Sequence, residues 1–104
     1  MGTGRLDFNT DYEAVGASAT DQILGASGAK GDILERLIVT VNTSLTSTVS
    51  IKDGNGSSIP IVAANSAIGV YALDIGARCV NTTTPGWSVT TGAGATVLAI
   101  GKFT

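Results

Sequence analysis

The sequence predicts an all-β protein, an antiparallel sandwich or barrel built from seven or eight short strands. Three observations carry this expectation. From residue 32 onward, apolar residues recur with a period of two. The segments between turn signals are about 5 to 10 residues long, which is strand length rather than helix length. Turn signals return every 8 to 12 residues or about that, the spacing of sandwiches and small barrels.

The chain opens with "RLDFNTDYEA", in which Leu6, Phe8, Tyr12 and Ala14 alternate with Arg5, Asp7, Asn9, Asp11 and Glu13. Two readings fit this segment. It is the first strand of the chain's own sandwich, or it is an arm that adds a strand to an exposed edge of another subunit or protein. In the second reading Arg5, Leu6, Phe8 and Tyr12 are the partner-binding residues. Burying the three apolar side chains contributes on the order of 5 kcal/mol gross, and ordering about ten residues costs as much or more. Such an arm binds weakly alone and strongly when an oligomer repeats it. Small residues and glycines follow in "VGASATDQILGASGAKGD", a flexible join. The chain therefore divides into residues 1–20, an arm or first strand plus linker, and residues 21–104, the sandwich.

In "ILERLIVTVN", Leu37, Val39 and Val41 share one face, and Arg36, Ile38, Thr40 and Asn42 the other. Ile33, Leu34 and Leu37 also permit a short helix, but the β-branched run Ile38–Val41 favours a pleated surface. "STVSIKD" buries Val49 and Ile51, and the intervening "TSLT" is short enough for a hairpin. Asp53-Gly54-Asn55-Gly56 supplies residues that tolerate positive φ, as tight strand reversals require. "SIPIVAA" places Ile59, Ile61 and Ala63 on one face, with Pro60 restricting the strand to an edge or a bulge. "IGVYALDIGARCVN" reads as one long strand or two short ones broken at Gly76. "GWSVTTGAGATVLAIGKF" reads as a final hairpin around Gly92-Ala93-Gly94. Its second strand, Val97 to Ile100, is apolar on both faces, so it lies centrally in a stack or beneath another subunit.

The composition narrows the function classes. Of 104 residues, 13% are charged, about half the usual share for a soluble domain, and hydroxyls and glycines stand in their place. A surface of that kind stays wet without repelling a second copy of itself. A net charge of −2, with Arg5, Lys30, Arg36, Lys52, Arg78 and Lys102 scattered singly, argues against a nucleic-acid partner. No run approaches the roughly 20 apolar residues of a membrane span, and "MGTGRLDFNTDY" lacks the apolar stretch of a signal peptide. Synthesis in a cytoplasm, with the mature chain starting near Met1, is the expectation.

No pattern announces catalysis. There is no histidine, which removes the commonest general base and most zinc sites. Glu35, Asp53 and Asp74 are candidates for a carboxylate pair by elimination alone, and each reads more simply as a strand-end or turn acid. Asp53 and Asn55 match the start of a calcium loop whose later ligands are missing. Gly25, Gly28 and Gly31 do not form a phosphate-binding pattern. Asn42, Asn55 and Asn81 fall in N-x-S/T triplets and read as turn residues. The single cysteine, Cys79, reads as a small core residue rather than a reactive thiol. Trp87 is either a core or subunit-interface aromatic, or a stacking platform for a sugar. No enzyme, metal or cofactor is expected.

In overall form, "GDILERLIVTVNTSLTSTVSIKDGNG", the short apolar strands after it and the closing "GWSVTTGAGATVLAIGKF" resemble the small β-sandwich decoration, or cement, proteins of tailed bacteriophage capsids. The resemblance spans residues 20 to 103 and involves no diagnostic motif. It implies a jelly-roll-like domain that forms a homotrimer, sits on the capsid exterior against the major capsid protein and stabilises the head. It carries no catalytic residues over to this chain. The alternative from another class is a glycan- or receptor-binding module of a tail fibre or similar appendage, with Trp87 and the turns near Asn55 and Asn81 as its contact surface.

Overall fold

A computed structural model describes residues 11–81 and 86–104, and among these residues the architecture is a β-sandwich without helix. Eight strands follow one another: β1 (Asp11–Val15), β2 (Gln22–Ile23), β3 (Ile33–Val41), β4 (Val49–Asp53), β5 (Ile59–Val62), β6 (Gly69–Arg78), β7 (Trp87–Thr90) and β8 (Ala95–Lys102). They form two antiparallel four-stranded sheets, ordered β1-β8-β3-β6 and β2-β7-β4-β5. The pairs β1–β8, β2–β7, β3–β6 and β4–β5 are those of one long hairpin rolled up on itself, which is the double Greek key of a jelly roll.

This topology corrects two expectations. The segment after β3 does not close a hairpin, because β3 and β4 belong to different sheets, and the same is true of β7 and β8. Both connections cross the end of the sandwich. Leu45, midway along the first crossing, is fully buried and plugs that end, while its carbonyl accepts the Asn65 amide at 2.8 Å. Thr91, in the second, is equally buried, with its hydroxyl donating to Gly16 O (2.6 Å) and accepting from Ala19 N (2.9 Å). Only β4 and β5 are consecutive partners, joined by the Asp53–Gly56 turn with Gly54 at φ 57°.

The first sheet contributes Val15, Leu34, Leu37, Val39, Val41, Val97 and Ala99 to the core, and the second contributes Val49, Ile51, Val62, Trp87 and Val89. Leu34 and Leu37 both face inward although three residues apart, because the register shifts between Leu34 and Arg36. There β3 carries one residue more than β8, which is the signature of a bulge. The spacing that admits a helical reading of Ile33–Leu37 is therefore a bulged strand. A second correction of phase falls on β5. The pairing moves from Val49–Val62 to Ser50–Pro60, so Val62 enters the core while Ala63 is exposed. Pro60 sits on an edge strand, beside that bulge, as a residue without an amide proton must. β6 is one continuous strand, with Gly76 at φ 62° where it holds an extra residue relative to β3.

Candidate interaction surface

The two outer faces of the sandwich differ in chemistry. On the second sheet, cross-strand neighbours are Ile23, Ser88 and Lys52 in one row, and Thr90, Ser50 and Pro60 in the next. Lys52 Nζ lies 3.4 Å from an Asp21 carboxylate oxygen, and Thr90 Oγ1 donates to the same carboxylate at 3.1 Å. A shallow cleft bounded by Asp21, Ile23, Lys52, Asn55 and Ser88 opens on this face. Ile23 forms an apolar wall of it, and its charged groups, Asp21 and Lys52, already face each other.

The first sheet turns an apolar face outward. One row runs Ala14, Leu98, Ile38, Ala72 across all four strands. The next runs Tyr12, Ile100, Arg36, Asp74, and a third brings Thr96, Thr40 and Val70 together. Tyr12 is 75% exposed and Val70 66%, while Leu98, Ile100 and Ile38 are half-buried by their neighbours. Ile68, just before β6, is 69% exposed. Among the described residues, the charges central to this face are Arg36 and Asp74, which satisfy each other through a 2.8 Å Nε–Oδ1 contact. The apolar positions arise because β8 is apolar on both faces and only one of them fits inside the sandwich, while Ile38 and Ala72 extend its outer row onto β3 and β6.

The leading segment resolves in part. Residues 11–15 are the chain's own edge strand, hydrogen-bonded to β8. Arg5, Leu6 and Phe8 lie outside the described residues. Tyr12, the fourth residue of that set, points away from the core, whereas Glu13 points inward. Glu13 Oε2 accepts from Gln22 Nε2 and Oε1 from Gly25 N, both at 2.8 Å. These contacts tie β1 to the edge of the opposite sheet.

Of the readings open for Trp87, the core one holds and the interface or ligand one needs correction. It is only 5% exposed, and its Nε1 donates to Asp32 O at 3.2 Å. Its ring is thus packed within the sandwich and presents no face to a sugar or a subunit. Cys79 is buried, as expected, with its Sγ 2.9 Å from Ala29 O.

The three acids considered for a carboxylate pair stand apart in role. Asp74 holds Arg36 on the first sheet's outer face, and Glu35 is exposed at the β3 bulge. Asp53, on the second sheet, accepts from the amides of Val80 (3.0 Å) and Asn81 (3.3 Å). Asp32 escaped the sequence reading. This buried aspartate accepts from Ala29 N (3.0 Å), Thr104 N (3.0 Å) and Thr104 Oγ1 (2.7 Å). Its carbonyl also receives the Cys79 amide and the Trp87 indole. A lone Asp after Gly31 looks like a turn residue, and only the folded chain brings its distant partners to it.

Comparisons of the chain with protein-family models, with curated protein sequences and with solved structures find no match.

Proposed function

We propose that this is a structural protein of a bacteriophage head, a decoration protein that trimerises, binds the major capsid protein on the capsid exterior and stabilises the shell. The observation that carries the reading is the apolar outer face of the β1-β8-β3-β6 sheet, set against the polar outer face of the other. The jelly-roll strand order agrees with what the resemblance implies, although fold alone does not dictate function. Sparse charge supports it too, since closely packed neighbours then repel little.

Magnitudes favour a closed assembly over a single contact. Covering Tyr12, Val70 and the remaining exposed parts of Leu98, Ile100 and Ile38 contributes on the order of 5 kcal/mol gross per copy. Association costs roughly 4 to 15 kcal/mol in lost freedom. One such contact is marginal, whereas a ring with several, each reinforced by attachment to a shell, holds. In this reading Arg5, Leu6 and Phe8 act with Tyr12 as the partner-binding set.

The test is the mass of the full chain in solution together with co-sedimentation on capsid shells. We expect a trimer that pellets with shells. Leu98→Glu, which places a charge at the centre of the apolar face, should yield a folded chain that no longer trimerises, with little change in melting temperature. A wild-type chain that is monomeric at all concentrations and ignores shells would sink the proposal. Glycan or receptor binding is the second reading, and the cleft beside Asp21, Lys52 and Asn55 is the feature that favours it. Saturable sugar binding abolished by Asn55→Ala, with the mass unchanged, would move the assignment there.

A further inference from the structure

Sandwich edges expose unpaired amides and carbonyls, and natural proteins guard them with short strands, prolines, bulges or inward charges. Three of the four edges here are guarded in those ways. β1 has the inward carboxylate of Glu13, β2 has two residues, and β5 has four with Pro60 and a bulge. β6 differs. It has ten residues and no proline, its register with β3 is regular from Gly69 to Asp74, and among the described residues no strand pairs with its other side. Its inward row, Tyr71, Leu73, Ile75 and Ala77, is only half-buried, so the core is imperfectly sealed along this edge.

We propose that β6 pairs antiparallel with β6 of a second copy, across a two-fold axis at Ala72, so that two first sheets join into one of eight strands. The strand's own sequence argues for a copy of itself as the occupant. Keeping the inner faces aligned, this register pairs residues 69–75 and stops short of the irregularity at Gly76. On the inner side Tyr71 of each copy meets Leu73 of the other, which closes the half-open seam. On the outer side Ala72 faces Ala72 and Val70 faces Asp74, so no like charges are opposed. Moving the axis to Asp74 would oppose two carboxylates, at a cost to pairing.

The pairing also makes the apolar outer row continuous. Ala14, Leu98, Ile38 and Ala72 of one copy run directly into Ala72, Ile38, Leu98 and Ala14 of the next. An edge contact of about seven residues is at the small end of specific interfaces, so it suits copies already held near one another. It uses an edge rather than the outer face, and it stands whether or not the capsid reading does.

Ala72→Cys tests it in the full chain, at an exposed small residue where the new side chain is easily accommodated. Directly opposed residues in antiparallel strands have Cα separations compatible with a disulfide. We expect Ala72→Cys to form a covalent dimer under mild oxidation, while Thr46→Cys, exposed on a distant loop, forms little. Native Cys79 is buried and adds little background. The cross-link should persist in the Leu98→Glu background, which separates it from the outer-face contact. In the wild-type chain, amide exchange in residues 69–75 should slow as concentration rises. Equal cross-linking at positions 72 and 46, or β6 exchange that does not respond to concentration, would overturn the proposal.

Discussion

At the scale of single residues, the polar group that matters most to the fold is Asp32. Its carboxylate gathers three donors from two segments, residues 29 and 104, and its carbonyl takes two more, one of them the Trp87 indole. Removing a buried acceptor leaves its donors unpaired, and each unpaired group costs about 1 to 3 kcal/mol. Asp32→Ala should therefore destabilise the fold by roughly 3 kcal/mol in urea titrations, and free the C-terminal residues in hydrogen exchange. A loss below about 0.5 kcal/mol, the range of ordinary surface changes, would show that the node is dispensable. Trp87 belongs to the same cluster. Trp87→Ala should cost about 3 to 5 kcal/mol through the cavity it opens, measured as a lowered unfolding midpoint. Were the ring instead a surface platform, stability would hardly change.

Elements show how well a pattern of two can be read, and where it slips. The inward faces of β3 and β4 follow directly from Leu37, Val39, Val41, Val49 and Ile51, since alternation and burial coincide there. Alternation fails at bulges. The extra residue near Glu35 and the shift beside Pro60 each reset which side chains face the core. No local preference marks the first, whereas Pro60 does flag the second. The Glu13 carboxylate is another element-scale device, because it fastens edge β1 to the opposite sheet. Hydrogen bonds to a charged group contribute about 1.5 to 3 kcal/mol. Glu13→Ala should lower stability by about 2 kcal/mol and speed exchange of β1 amides well before the rest. Uniform exchange across all strands would mean that β1 is not a separable edge.

For the whole molecule, the apolar outer face of one sheet is the feature that asks for a partner. Residues Leu6 and Phe8, which continue the alternation of Tyr12 and Ala14 in the sequence, provide a test of where the partner lies. A full-length Leu6→Ser, Phe8→Ser chain should keep its melting temperature within a few degrees yet lose co-sedimentation with shells. Retained binding would remove those residues from the partner-binding set and leave the sheet face to act alone.

Composition and periodicity by themselves determined that this chain is an antiparallel sandwich or barrel of short strands, that Pro60 lies at an edge or a bulge and that Cys79 is internal. Those properties depend on neighbours along the chain, and alternation reports them directly. Only the tertiary structure decided that the segments at Leu45 and Thr91 cross between sheets, that Trp87 is sealed inside, and that Asp32 joins residues 72 positions apart. It also decided which of two apolar faces is left outside. The physical reason is the same in each case. A strand that is greasy on both sides says how much surface needs covering, but the pairing order of all eight strands settles which side the core covers.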